Sequence, residues 1–395
     1  MRIVKHKWGA GAALIAAMTL AGCTLDAVNP GAITEEGLQN ELAIAALVNG
    51  VIGDYDEAYQ RSALYSGLLS DEYRASGSWT WWHDADKIGF IDVNAPDGDL
   101  MNIPHHWWNP LSRARFLADE TYGRVQEVIE NPGQSPLTAM VRLYSGMAYR
   151  DIGQFFCVAA YDGGPPVQRE QSLQIAKDHL TEAIQVAQAA GVDSIATMAY
   201  LQRARINLVM GDLAAAVADA QMVPDGFIWY AHFRNAAGES NDMVFQTNQR
   251  VEATVQEPFR ETGDPRVPVE DTGEKGADNL TPRWDQMKYG RYENMVLGKW
   301  QEARLIEAEV LLSQGQVEPA IVLMNEVRAA AGLEALSTTL SAAEAQAALR
   351  QERKYELFLD AHRMIDMRRW GLFPDGWGAT CSPLPRSETD NNVNF

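Results

Sequence analysis

The sequence predicts a mostly α-helical fold: a tetratricopeptide-like helical-repeat scaffold with one irregular, loop-rich insertion. Three observations lead to this prediction. Apolar residues recur at helical spacing over most of the 395-residue chain. Two segments repeat the same order of small residues around a glycine. Residues 224–298 instead hold many Gly, Pro, Asn and aromatic residues without a sustained period, which is typical of loops with a few short strands.

Capping residues and helix breakers divide the helices into two groups, at about 34–222 and 299–371. Thr34 is predicted to be the first N-cap, and Gly371 is predicted to end the last helix. Residues 78–104 are rich in Gly, Pro, Asp and Trp and predict a loop. The predicted helices are 34–51, 62–76, 111–129, 137–153, 172–190, 194–210, 213–222, 300–314, 317–331, 342–360 and 365–369.

The repeat consists of five positions that match at a constant offset. Small side chains let two helices approach closely, and glycine permits a tight reversal between them, as in tetratricopeptide repeats. A chance match between alanine-rich amphipathic helices is the alternative. The matched positions are Ala204, Leu208, Gly211, Ala216 and Val223 in one copy and Ala308, Leu312, Gly315, Ala320 and Val327 in the other.

Residues 1–22 have the layout of a cleavable lipoprotein signal peptide. Positive side chains precede an apolar stretch at 9–20 that is too short to span a membrane permanently. The stretch ends in Leu-Ala-Gly-Cys, which resembles a lipobox, so Cys23 is predicted to carry lipid and to begin the mature domain, 23–395. The predicted protein is anchored to a membrane by acyl chains and does not cross it. A plain signal peptide with an incidental cysteine is the alternative.

The acidic composition limits the possible partners. The net charge of −20 becomes −23 when Arg2, Lys5 and Lys7 leave with the signal peptide. Like-charge repulsion then disfavours nucleic acid and anionic lipid surfaces. Neutral ligands, or a protein partner with basic patches, remain compatible with this charge.

Two cysteines, Cys157 and Cys381, remain once Cys23 is used for lipidation. In an oxidising compartment a pair of cysteines predicts one disulfide. Two buried thiols are the alternative. A bridge here would tie the C-terminal tail to the middle of the chain.

No catalytic motif is recognisable in the sequence, so we expect a binding protein rather than an enzyme. The chain has no Gly-x-Ser-x-Gly, phosphate-binding loop or His-Glu-x-x-His motif. His105 and His106 are adjacent and would point apart on a helix, which disfavours shared metal binding. An acidic turn between Asp92 and Asp99 lacks the spacing of an EF-hand loop. The sequence therefore predicts neither a metal site nor a cofactor.

A cluster of tryptophans is the strongest indication of a ligand site. Trp79, Trp81 and Trp82 lie in a Gly-Ser-containing loop, followed by His83 and Asp84. Indole rings suit the apolar face of a sugar, while carboxylates and amides bond its hydroxyls. The alternative is that these rings fill a core beneath the loop. Weaker candidates for ligand contacts lie in the insertion: Trp284, Tyr289 and Tyr292.

The segment 352–371 combines alternating charges with a closing Trp-Gly pair. On physical grounds it predicts ion-paired structural helices, with Asp366 placed to pair with Arg363 or Arg369 along one helix. It also closely resembles the characteristic pattern of the SusD/RagB family. Asp360 stands where the family usually has a second Glu. The matching residues are Glu352, Arg353, Glu356, Leu357, His362, Arg363, Asp366, Arg369, Trp370 and Gly371.

Shorter segments resemble the same family along the whole mature chain. They are 25–30 after the lipid cysteine, Ser70-Asp71-Glu72, Gly263-Asp264-Pro265-Arg266, 300–309 and 383–388. The resemblance implies an outer-membrane, surface-exposed lipoprotein of nutrient uptake that binds a glycan or oligosaccharide and delivers it to a SusC-like TonB-dependent transporter. The family's sugar contacts lie in variable loops, so it transfers no binding residue to this chain. A lipid-anchored scaffold that binds a protein or peptide is the alternative function.

Overall fold

The structure is a computed structural model. It describes residues 40–79, 82–83, 86, 102–236, 238–375, 380–390 and 392–395. Helices dominate the described residues, and the strands pair only in twos. The helices are α1 (Glu41–Leu68), α2 (Asn102–Val128), α3 (Pro136–Phe155), α4 (Arg169–Ala190), α5 (Asp193–Met210), α6 (Leu213–Ala220), α7 (Asp242–Val244), α8 (Trp300–Ser313), α9 (Val317–Ala330), α10 (Ala342–Glu356), α11 (Arg363–Trp370) and α12 (Arg386–Thr389).

α1 is one continuous helix where the sequence predicted two, at 34–51 and 62–76. Its second half is buried almost without interruption, and Tyr55 and Tyr59 are among the largest fully buried side chains. Packing against α2 and α3 therefore maintains the helix across Gly50 and Gly53, which weaken a helix on their own. The predicted N-cap, Thr34, lies outside the described residues.

α2 begins nine residues before its predicted start, so the predicted loop 78–104 ends too late. Pro104 lies in the first turn, where proline is tolerated because the backbone N–H groups have no partner, and Pro110, next to the predicted start, lies inside the helix. The early turns bury Trp107 and Trp108 completely. The Trp107 ring lies 5.0 Å from that of Phe155, and the Trp108 ring lies 5.1 Å from that of Phe156.

The predicted repeat forms two helix pairs with the same geometry. α5 and α6 are joined at Gly211, and α8 and α9 at Gly315, with φ of 81° and 76°. The left-handed region is easily reached only by glycine, which explains its presence at both turns. Ala204, Ala216, Ala308 and Ala320 are all fully buried where the helices approach one another. The prediction of a helical-repeat fold is confirmed.

The insertion at 224–298 contains the short strands and irregular turns expected from its composition. Two antiparallel pairs organise it: β1 with β5, which joins it to the segment after α1, and β4 with β8, which brings its own two ends together. The first pair places the residues around 250 beside the segment that follows α1. The strands are β1 (Tyr73–Ala75), β2 (Val158–Ala160), β3 (Pro166–Gln168), β4 (Ile228–Ala231), β5 (Ala253–Val255), β6 (Val269–Lys275), β7 (Pro282–Gln286) and β8 (Met295–Lys299).

Buried ion pairs hold the C-terminal helices in place. Asp366 accepts hydrogen bonds from Arg353, with Nε to Oδ2 at 2.8 Å, and from Arg369, at 2.7 Å. Arg363 instead pairs with Asp71, with Nε to Oδ1 at 2.5 Å. Of the two partners predicted for Asp366, Arg369 is therefore right and Arg363 is wrong. Asp71 follows α1 in sequence, so this ion pair connects the segment after α1 to the start of α11.

The turn between α10 and α11 ends α10 earlier than predicted. α10 stops at Glu356 rather than at 360. Leu359 and Ala361 have φ of 57° and 59°, values that a right-handed helix does not contain. Tyr59 from α1 donates a hydrogen bond to the Asp360 carbonyl at 3.1 Å, so this turn is held from within the core. Gly371 caps α11 in the left-handed conformation, as the sequence predicted.

A disulfide joins Cys157 to Cys381 across 224 positions of the sequence. Backbone hydrogen bonds flank it, from Cys157 N to Ser382 O at 2.9 Å and from Ser382 N to Phe155 O at 2.7 Å. The C-terminal tail is thereby fixed to the end of α3.

Candidate functional site

The predicted tryptophan cluster follows β1, and its described rings differ sharply in exposure. Trp79 is 58% exposed, whereas Trp82 is 2% exposed. Trp81 and Asp84 lie outside the described residues. Trp82 therefore packs in the core, as the alternative interpretation of the cluster held, while Trp79 presents its ring to solvent.

Several contacts fix the loop that carries Trp79. The Trp82 ring lies 6.2 Å from the ring of Tyr65 on α1. His83 Nε2 is 2.7 Å from the Gly77 carbonyl oxygen. A Cβ at Gly77 would lie 2.1 Å from Oε2 of Glu252 and 3.0 Å from the Trp82 ring, so a larger residue would displace the Glu252 carboxylate and press on the indole. The exposed indole thus stands on a supported base, and His83, although exposed, serves to hold the loop.

An open cavity of about 340 Å³ lies beside Trp79. We call it the aromatic cavity. α1 supplies Arg61 and Tyr65, and the start of α2 supplies His106. A π-helical turn at Phe245–Gln249, which continues α7, supplies Gln246, and Arg250 follows it. Such turns occur disproportionately at functional sites. The lining residues are Arg61, Tyr65, Trp79, Trp82, His106, Gln246 and Arg250.

The polar groups of the aromatic cavity are mainly hydrogen-bond donors. Arg61 lies 3.5 Å from Asp242, and its Nε is buried without a hydrogen-bond partner among the described residues. Arg250 pairs with Glu252 at 3.0 Å and stays 46% exposed. Burial, and then the charge of Arg61, lower the pKa of His106, so its ring is neutral at neutral pH. The arrangement can place a flat ligand against indole and donate hydrogen bonds to its oxygens.

The weaker candidates in the insertion do not line this cavity. Trp284 is half-buried, with the Arg260 guanidinium 5.3 Å from its ring centroid. Tyr289 is buried, and its hydroxyl donates a hydrogen bond of 2.5 Å to Asp360, so its proposed role in ligand contact is corrected to a structural one. Tyr292 is 49% exposed and lies apart from the cavity lining.

Sequence reasoning missed the residues that complete the cavity around Trp79. Arg61 and Tyr65 lie on a helix whose sequence shows no distinctive ligand-binding pattern. Gln246 and Arg250 come close only through the pairing of β1 with β5, which the sequence does not specify. A local signal existed only for the tryptophans themselves.

Metal-binding clusters and membrane-spanning helices are both absent from the described part of the chain. It contains no group of three or more His, Cys, Asp or Glu side chains positioned to hold a metal ion. None of the described helices combines the length and the apolar character that crossing a membrane requires.

Comparison with known proteins gives a consistent result. Residues 274–393 match the model of the SusD family. A SusD homologue from Bacteroides thetaiotaomicron has a TM-score of 0.67 at 14% identity, covering 91% of this chain and 96% of its own. A SusD-like protein from Bacteroides fragilis has a TM-score of 0.66 at 15% identity, covering 87% and 88%. Surface glycan-binding protein A from Bacteroides thetaiotaomicron has a TM-score of 0.65 at 14% identity, covering 90% and 98%. No match was found among curated proteins.

Proposed function

We propose that this protein, a member of the SusD/RagB family, binds an oligosaccharide in the aromatic cavity and delivers it to a SusC-like TonB-dependent transporter. The single observation that carries the proposal is the exposed ring of Trp79 at the mouth of a cavity rich in hydrogen-bond donors. A large apolar side chain that is exposed beside convergent polar groups is typical of a ligand-binding site rather than of a packed core.

Each part of the cavity has a distinct role in this proposal. The Trp79 indole stacks against the apolar face of a sugar ring. Gln246 and Arg250 donate hydrogen bonds to hydroxyl oxygens. Arg61 lines the same cavity and offers a further donor. A neutral sugar suits this site because the net charge, −20 for the full sequence and −23 once Arg2, Lys5 and Lys7 leave with the signal peptide, repels anionic ligands.

The similarity in fold supports glycans as the ligand class. Surface glycan-binding protein A of Bacteroides thetaiotaomicron is named for binding glycans, and it shares the fold at 14% identity. Delivery to the transporter follows from the family assignment. In the same proposal, acyl chains on Cys23 tether the mature protein to the cell outer membrane with its cavity outside, and no chemical conversion of the ligand takes place.

Isothermal titration of the purified protein against a panel of neutral oligosaccharides tests the binding step. We expect Trp79→Ala to weaken the affinity for the bound glycan by about tenfold, because a stacked ring contributes roughly 0.5–1.5 kcal/mol beyond burial. Tyr292→Ala is the matched control, since Tyr292 is similarly exposed but lies outside the cavity lining. Equal affinities of wild type and Trp79→Ala would contradict the site, and binding of peptides alone would favour the scaffold function.

Co-purification from detergent-solubilised outer membranes tests the delivery step. We expect a TonB-dependent transporter to elute with the protein, and cells lacking either protein to stop taking up the glycan that binds in titration. Failure of the transporter to co-elute, with intact glycan binding, would limit the function to capture at the surface.

A further inference from the structure

A second cavity, of about 430 Å³, opens on α1 closer to its N-terminus. We call it the acidic cavity. Gly50, Gly53 and Glu57 line it along one face of the helix. The opposite wall comes from the insertion after β4, including His232 and Glu239. A Cβ added at Gly50 or Gly53 would meet no atom within 4 Å, so the two glycines leave the helix surface open for an occupant.

Asp56 is the exceptional residue of this cavity. It is 3% exposed, and its Oδ2 accepts a hydrogen bond of 2.9 Å from the His232 backbone N–H. Its Oδ1 has no hydrogen-bond partner among the described residues, although it is fully buried. A buried carboxylate oxygen without a partner is costly, and natural proteins rarely retain one without a reason.

The neighbouring carboxylates are already compensated, in contrast to Asp56. Arg113 from α2 approaches Asp54 at 2.7 Å and Glu57 at 2.5 Å. At the rim, Arg234 forms a hydrogen bond with Glu239 at 2.9 Å. Among the carboxylates of this lining, Asp56 is therefore the one for which an incoming cation meets the least competition from the protein's own arginines.

We propose that the acidic cavity binds a ligand that carries a primary ammonium group, and that Asp56 Oδ1 accepts the hydrogen bond from it. Charge-assisted hydrogen bonds of this kind are short and about twice as strong as neutral ones. The ammonium would supply the partner that Oδ1 lacks. The volume accommodates a sugar-sized carrier of the ammonium group. This inference does not depend on the aromatic cavity.

Titration of Asp56 gives the site a characteristic pH dependence. Burial raises the pKa of Asp56 to about 7, because it penalises the charged form. Ammonium affinity should therefore fall as pH drops below 7 and the carboxyl becomes protonated. The other titratable or charged groups of the lining are Asp54 and Glu57 on α1, and His232, Arg234 and Glu239 in the insertion. Arg113 from α2 pairs with Asp54 and Glu57, and Tyr144 on α3 interacts electrostatically with Asp56.

Titration calorimetry of the whole mature protein at 0.15 M salt provides the test. The probes are a glucosamine tetramer, its fully N-acetylated counterpart, and the peptide Gly-Lys-Gly with blocked ends. We expect at least one ammonium probe to bind and the acetylated probe not to bind in this cavity. Tighter binding of the tetramer assigns the ammonium to an amino sugar, and tighter binding of the peptide assigns it to a lysine side chain.

Two variants locate the binding, each with a matched control. Asp56→Asn should reduce ammonium affinity at least tenfold and remove its pH dependence, whereas the exposed Asp178→Asn should not. Gly53→Leu should fill the cavity and abolish binding while the helix stays folded, with Gly123→Leu on α2 as control. Trp79→Ala should leave binding of the blocked peptide Gly-Lys-Gly unchanged, because this probe carries no sugar ring to stack on the indole, and this result separates the acidic cavity from the glycan site. If neither ammonium probe binds, or if Asp56→Asn and Gly53→Leu both bind as wild type does, the proposal is overturned.

Discussion

The Glu72 carboxylate accepts a hydrogen bond of 2.7 Å from the backbone N–H of Leu359, which lies 287 positions later in the sequence. Leu359 has φ of 57°, a conformation that side-chain-bearing residues rarely adopt. Glu72 immediately precedes β1 and the loop that carries Trp79. One buried acidic side chain therefore connects the turn between α10 and α11 to the segment that leads through β1 into the loop of Trp79.

Glu72→Gln should change how stability depends on pH. Burial raises the pKa of Glu72 to about 8, so the folded protein retains a proton that the unfolded chain releases near pH 4.3. This contribution to stability is full below the unfolded pKa and is lost as pH rises towards 8. Glutamine cannot ionise, so the variant should escape this loss. Between pH 5 and pH 8 we expect its unfolding free energy to fall less than that of wild type, by about 1 kcal/mol for every unit of pH.

Urea unfolding of both proteins at several pH values measures this difference. Glu127→Gln, at an exposed position on α2, is the control and should follow the wild-type profile. Parallel profiles of Glu72→Gln and wild type would mean that Glu72 ionises normally in the folded protein.

The sequence predicted the helical class and most helix positions because amphipathic periodicity is a local property. It failed where contacts distant in sequence decide the local structure. Core packing keeps α1 continuous where the sequence predicted two separate helices, at 34–51 and 62–76. The backbone at Leu359 has a positive φ, and Glu72 accepts the hydrogen bond from its N–H. The chain therefore leaves the helix at the end of α10, although the charge pattern that predicted a helix continues to 360.

The candidate site likewise has one part that the sequence predicted and another that depends on contacts distant in sequence. Composition alone located Trp79, because three tryptophans in a polar loop are unusual. The exposure of each ring depends on what packs beneath it, and Trp82 finds Tyr65 of α1 there. The donors from the π-helical turn could not be predicted, since only strand pairing brings Gln246 to this side of the protein.

Gly211→Ala and Gly315→Ala should each destabilise the protein by about 1–2 kcal/mol, because an L side chain is strained in the left-handed region that both turns require. The cost should be similar at the two positions if the helix pairs are copies of one unit. Thermal or urea unfolding measures it. Gly123→Ala, in the interior of α2 with open space around it, is the control and should stabilise the protein slightly. A neutral effect of Gly211→Ala would contradict the turn geometry.

Loss of the disulfide between Cys157 and Cys381 should lower stability without unfolding the protein. By restricting the unfolded chain, a crosslink that closes so long a loop adds at most about 5 kcal/mol to the free energy of unfolding, and strain or residual structure reduces that figure. We expect the double variant Cys157→Ser with Cys381→Ser to melt at a lower temperature while keeping its helical circular dichroism. Alkylation of unfolded, unreduced protein should label neither cysteine, and labelling of both would show that the thiols are free.

Trp82→Ala and Trp79→Ala should separate packing from binding within one loop. Trp82 is almost fully buried against Tyr65, so its truncation removes a large apolar surface and should cost about 3–5 kcal/mol of unfolding free energy. Trp79 is 58% exposed, and its truncation should change stability by less than about 0.5 kcal/mol. Urea unfolding of the two variants beside wild type measures both effects, and Trp82→Phe should recover part of the loss because a smaller ring still packs there. A large destabilisation by Trp79→Ala would assign its ring to the fold and remove the observation on which the glycan site depends.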